Sequence, residues 1–250
     1  SYANRVQEGI NTLNDVVMQT DSFENIDINK YSKLLLKNID EEFGGFNGAP
    51  KFMMPNNLNF LLRYSVQEKQ EKSKDKILST LDKMAYGGIF DHVEGGFSRY
   101  SVDERWHIPH FEKMLYDNGQ LMSLYSVGYK ISDKDLYKDV VYKIHEYIDS
   151  EMKDISGGYY SSLDADSKLD DGTYAEGEYY SWEKEELERI IGENFDLFSE
   201  YYNVNDNGFW EEENKYVLIR SISDIEFINK NKPDSATFQK IKSEWIYKLK

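Results

Sequence analysis

The chain has no cysteine, no strongly basic segment and no long apolar run. The first absence excludes disulfides, thiol redox chemistry and any cysteine-ligated metal within these 250 residues. The second argues against nucleic acid as a partner, because phosphate contacts need clustered Lys and Arg, whereas the net charge is −16. The nearest basic cluster, residues 69–76, is balanced by acids and reads as a solvated helix junction. No run approaches the ~20 apolar residues of a membrane-spanning helix, so no membrane association is expected. The opening SYANRVQEGINTLN lacks the basic and then apolar blocks of a signal peptide, and a cytoplasmic location is the default expectation. Phosphate loops, HExxH and GxSxG are also missing, which leaves serine nucleophile chemistry unsupported. The acidic stretches DADSKLDDG and NVNDNGFWEEEN both lack the ligand spacing of a calcium loop. No metal and no cofactor is expected.

What is present is helical periodicity punctuated by glycine. Apolar residues recur at helical spacing over residues 5–19, 27–43, 55–64, 75–86, 110–131, 133–152, 183–202 and 234–250. Asp27 is a candidate N-cap, and Pro109 sits where a helix start tolerates proline. Short, aromatic, alternating segments near 157–182 and 208–220 predict small β-hairpin insertions. Gly-Gly pairs followed by an apolar residue recur at Gly44, Gly87, Gly95 and Gly157, three of them directly after a second helix. Repeated αα-hairpins must bury each unit against its neighbours. The prediction is a single all-α domain over 1–250, an α/α toroid segment of three to four hairpins whose glycine loops rim one end. A closed ring of six hairpins takes a longer chain, so a fragment with an open apolar flank, and self-association through that flank, are expected.

The polar and aromatic residues concentrate in the loop from Ala85 to Asn118, which holds three of the four histidines. Long loops inside compact domains are usually functional or disordered, and this one is too aromatic for disorder. Placed two turns apart on a helix, His110 and Asp117 would share a face. There they are either an acid/base pair for catalysis or a buried pair at the helix start. Glu112 falls in the first turn, where the helix dipole favours a carboxylate. Asp117-Asn118 in a helix interior points to functional or buried hydrogen-bonding roles, since both are poor helix formers. Asp164 and Asp166, with Glu176 and Glu178, make an acidic cluster suited to general acid/base work. Arg99, Tyr100, Asp103 and Trp106 form either a ligand clamp or an internal network that orders the loop. His92 joins them as a candidate binding residue. The candidate catalytic set is therefore His110, Asp117, Glu112, Asp164 and Asp166, expected to converge with the binding set at the glycine-loop end.

Four segments, GGFNGAPKF (44–52), 84–118, GGYYSSLDADS (157–167) and EGEYYSW (176–182), closely resemble the thioredoxin-domain-containing family of bacterial YyaL-type proteins and animal spermatogenesis-associated protein 20. The resemblance runs in order over most of residues 40–220. It implies a six-hairpin toroid similar to N-acylglucosamine 2-epimerase and six-hairpin glycosidases, preceded in the family by a thioredoxin-like domain that does not fall within these 250 residues. It also implies a sugar ligand. No motif here maps onto the paired histidines of the epimerases, and a second base is expected outside this stretch. Two functions follow as expectations: a carbohydrate-active domain of epimerase, isomerase or glycosidase type, or a non-catalytic binding module working with a thioredoxin-like domain.

Overall fold

A computed structural model of the chain describes residue 5 and residues 27–169 and 171–250. The helix expected over 5–19 lies outside the described residues, apart from Arg5. The first described helix, α1 (Ile28–Lys37), is capped by the Asp27 carboxylate, which accepts from the Lys30 amide at 3.0 Å. It stops short of the expected residue 43. The Asp40 carboxylate accepts the amides of Glu42 and Phe43, and a side chain that bonds its own following backbone turns the chain out of the helix.

Two hairpins follow. The first is α2 (Pro55–Gln67) with α3 (Glu71–Tyr86), the second α4 (Leu115–Ser132) with α5 (Asp135–Glu151). Helix α2 packs on α4 and α3 on α5, so successive hairpins stand side by side in two layers, the stacking of an α/α toroid segment. Their shared core is built on Leu61, Leu81, Met84, Leu121, Leu124 and Ile144, all fully buried. A second core gathers around Phe198, Phe238 and Trp245 from α6 (Lys184–Ile191), α7 (Phe195–Tyr202), α8 (Asp224–Asn231) and α9 (Ser235–Leu249). The single helix expected over 183–202 is split at Gly192, whose φ is 73°. That positive φ, open to glycine, turns the chain out of α6. Helix α8 lies outside the segments that show helical periodicity. It is only 8 residues long. A capping box between Ser223 and Glu226 starts it. No helix among the described residues is long and apolar enough to cross a membrane.

Short strands tie the loops together. β1 (Lys51–Phe52), β2 (Tyr100–Ser101) and β3 (Pro109–His110) form one antiparallel sheet, with Tyr100 opposite His110. β4 (Lys113–Met114) pairs with β5 (Ser162–Leu163). The hairpins β6 (Asp166–Lys168) with β7 (Tyr174–Glu176), and β8 (Phe209–Trp210) with β9 (Lys215–Tyr216), fall inside the two insertions expected from the aromatic alternation. The expected helix over 110–131 is corrected by the first sheet. His110 is a strand residue, and α4 begins only at Leu115. Pro109 has no amide to give, so it fits an edge strand as readily as a first helical turn.

Three of the glycine loops are one structure repeated. In each, the aspartate that opens the loop exchanges backbone hydrogen bonds with the two glycines: Asp40 with Gly44 and Gly45, Asp91 with Gly95 and Gly96, Asp154 with Gly157 and Gly158. One carboxylate oxygen of each aspartate caps amides inside the loop. The other accepts from Lys51, Lys113 and the Tyr160 hydroxyl respectively, at 2.7, 2.7 and 2.8 Å. Lys51 and Lys113 also donate to the carbonyls of Gly44 and Gly95, both at 2.9 Å. Each ammonium group is buried, and each lies against aromatic rings, Trp106 and Phe43 for Lys51, Tyr147 and Tyr180 for Lys113. The fourth pair differs. A side chain on Gly88 would strike the His107 carbonyl at 2.1 Å. This glycine therefore lets two stretches of the long loop lie backbone to backbone.

Candidate functional site

The sheet β1–β2–β3 brings a polar cluster to the surface. Tyr100 and His110 stand opposite one another in the ladder, where facing side chains interact directly. Their rings stack with centroids 4.9 Å apart and planes 19° apart. Phe52 packs against the other side of Tyr100, also at 4.9 Å. His110 Nδ1 lies 2.7 Å from Glu176 Oε1, a carboxylate delivered by β7. His110 Nε2 lies 3.9 Å from Glu112 Oε2. Glu112 is fixed in turn by Arg99, whose Nη1 donates to Oε2 at 2.9 Å, while the Arg99 amide donates to the Glu112 carbonyl. Asp117, in the first turn of α4, lies within electrostatic reach of Arg99 and Glu112. Burial pushes its carboxyl up to about 6, with Arg99 opposing that rise and Glu112 adding to it. Asp166 stands directly opposite Glu176 across the β6–β7 ladder.

Arg99, Tyr100, His110, Glu112 and Glu176 therefore meet, with Asp117 and Asp166 beside them. The remaining candidates do other things. Asp164 is exposed and turns its carboxylate back onto the Asp166 amide. Glu178 pairs with Lys215 rather than with the other acids. Asp103 accepts the amides of Arg105, His107 and Ile108, which organises the loop backbone. Trp106 is fully buried, donates from Nε1 to the Phe43 carbonyl at 2.9 Å and presents no face to a ligand. His92 is buried, with Nε2 3.2 Å from the carbonyls of Tyr86 and Gly87. Burial holds its ring neutral by pushing its pKa down to about 3. Of the two readings of the Arg99–Trp106 stretch, the loop-ordering network describes Asp103 and Trp106, and the exposed polar surface describes Arg99 and Tyr100. Asn118 is wholly buried and bonds both the amide and the carbonyl of Phe97, locking the second glycine loop to α4.

Two kinds of residue carry no mark in the sequence. One is the pair of lysines that complete the glycine loops. The other is Arg220, whose guanidinium lies between the rings of Tyr86 and Tyr201. No periodicity singles them out, because each partner arrives from a distant segment. Among the described residues, no group of three His, Asp or Glu side chains is arranged to hold a metal ion.

Sequence comparison extends the resemblance carried by the motifs. The chain is 45% identical over 159 residues to mouse spermatogenesis-associated protein 20, covering 62% of this chain and 20% of that protein. The human protein of the same name is 42% identical over 170 residues, 66% of this chain and 22% of that one. An uncharacterised protein of Caenorhabditis elegans is 37% identical over 235 residues, 85% of this chain and 31% of its own length. The chain thus spans between a fifth and a third of these relatives. Cellobiose 2-epimerase from Bacillus thermoamylovorans superposes with TM-score 0.46 and 12% identity over 89% of this chain and 72% of that one, a likeness too loose to bear on function. No family model matches the chain.

Proposed function

We propose that this relative of spermatogenesis-associated protein 20 is a carbohydrate-active domain of the isomerase or epimerase type, acting at the cluster around His110. One observation supports the reading above the others. The imidazole is oriented by Glu176 through Nδ1, its Nε2 faces Glu112, and a carboxyl raised to about 6 stands close by. Proton transfer beside a sugar carbonyl needs one group to take a proton and another to return it. His110 and Asp117 are the candidates for the two groups, Arg99 is placed to bind a hydroxyl or carbonyl oxygen, and the exposed Phe52 ring, packed against Tyr100, provides an apolar surface for a sugar ring. The test is exchange in deuterium oxide. A substrate sugar should take up deuterium at the carbon beside its carbonyl, and both His110→Ala and Asp117→Asn should abolish the exchange while the fold is retained. Exchange unaffected by either variant would reject this site.

The exposure of the cluster favours a second reading, a binding module that works beside a thioredoxin-like domain without turnover. The side chains of Arg99 and Glu176 are 43% and 46% exposed. That is more open than a water-excluding catalytic pocket. A melting-temperature rise with a sugar, lost in His110→Ala and unaccompanied by exchange, would favour that reading.

A further inference from the structure

Away from the His110 cluster, a cavity of about 330 Å³ opens where the end of α3, the long loop and the segment before α8 meet. Lys83, Arg105 and Arg220 line it as cations, and Glu42 is the carboxylate of its lining. Asp224 pairs with Arg220 from behind, which leaves one positive charge in excess around the space. The polar wall is completed by His107, Asn207 and Ser221.

Two lining groups hold polar atoms that are buried and have no hydrogen-bond partner, Arg220 Nε and His107 Nε2. Buried polar atoms are normally paired, and an orphan costs the full desolvation of that group. Both side chains are at least nine-tenths buried. The neutral His107 ring can present Nε2 as a donor or as an acceptor. Burial holds the ring below its ordinary pKa, in the neutral form. One cavity thus contains an unmet guanidinium donor, an unmet imidazole nitrogen and a surplus cation. The fold also holds His107 firmly. The preceding Trp106 has a φ of 65°, and the His107 and Ile108 amides are both tied to Asp103.

We infer that this cavity binds a small hydroxylated oxyanion, such as a sugar acid or a sugar phosphate. The oxyanion lies against Arg220 and Arg105, and a ligand hydroxyl, able to donate or accept, pairs with His107 Nε2. The inference does not rest on the reading of the His110 cluster, since the two sets of residues do not overlap.

Isothermal titration of the whole chain tests it with gluconate, glucose 6-phosphate, glucose, hexanoate and inorganic phosphate. Saturable binding of gluconate, glucose 6-phosphate or both is expected, with glucose, hexanoate and phosphate at least about tenfold weaker, the ratio one lost charge-assisted contact produces. Gluconate alone would identify a carboxylate ligand, and glucose 6-phosphate alone a phosphate ester. Arg105→Gln, at an exposed position, should weaken the bound anion by about tenfold with the fold intact. His107→Leu should lower the preference for gluconate over hexanoate, an effect that a merely structural role for His107 would not produce. Binding of neither hydroxylated anion overturns the proposal. So does equal binding of glucose, hexanoate or phosphate, or full retention of binding in Arg105→Gln. Using His110→Ala as a parallel control separates this outcome from failure of the sugar site.

Discussion

Asp117 shows how much a single carboxyl depends on what surrounds it. Its folded-state pKa of about 6 stands above the 3.8 of an ordinary aspartate because burial disfavours the charge more than Arg99 restores it. A raised pKa means a stability contribution present in full below about 3.8 and lost as pH rises through about 6. At neutral pH the ionised side chain therefore weighs against the fold. Asp117→Asn should stabilise the chain by about 1 kcal/mol at pH near 7.5, a figure discounted for partial exposure, and by almost nothing near pH 4. Urea midpoints at the two pH values check this, and an equal gain at both would show that charge is not the cause. Helical periodicity predicts that His110 and Asp117 lie two turns apart on one helix, whereas His110 stands in the ladder opposite Tyr100 and Asp117 in the first turn of α4. Pairing across a ladder has no spacing signature, which is why Glu176, 66 positions from His110, is legible only as one member of an acidic cluster.

At the scale of elements, the repeated aspartate–glycine loops locate much of the local stability. Gly-Gly spacing is visible in the sequence, and so the loops are legible. The cations that complete them are not, because Lys51 lies 11 positions from Asp40 while Lys113 lies 22 from Asp91. Removing one member of a buried ion pair strands the other, at a cost of roughly 3–5 kcal/mol. Lys113→Met should destabilise by that amount, and adding Asp91→Asn should recover most of it, since an amide oxygen can still accept the Val93 and Glu94 amides. A urea series on the single and double variants decides the matter. If the second substitution worsens the first, the stranded-charge account fails. The third loop provides a contrast. Tyr160 and Asp154 are bonded at the surface, so Tyr160→Phe should leave the urea midpoint almost unchanged.

For the whole molecule, side-by-side packing of the hairpins is legible because α2, α3 and α5 each keep one apolar face over several turns, whereas the short α8 offers too few residues for a period to show. What no local pattern reveals is the balance of charge over the assembled surface. A net charge of −16 makes the compact state repel itself, while the exposed ion pairs that salt would also weaken, such as Lys153 with Asp149, contribute little. Screening should therefore favour the fold at neutral pH. Raising ionic strength from about 10 mM to about 0.5 M shortens the Debye length from ~30 Å to a few ångströms, so the melting temperature at pH 7 should rise. Near the isoelectric pH of about 4.7 the repulsion vanishes and salt should have little effect. Further acid should then unfold the protein for a different reason. Burial alone would raise the carboxyls of Asp40, Asp91 and Asp224, yet Lys51, Lys113 and Arg220 hold them below the ordinary range, Asp224 at about 2. Their stabilisation is present above about 3.8 and is lost as pH falls toward 2. Calorimetric scans over pH and salt test both limbs. A melting temperature that falls with salt at pH 7 would mean that paired charges outweigh the collective repulsion.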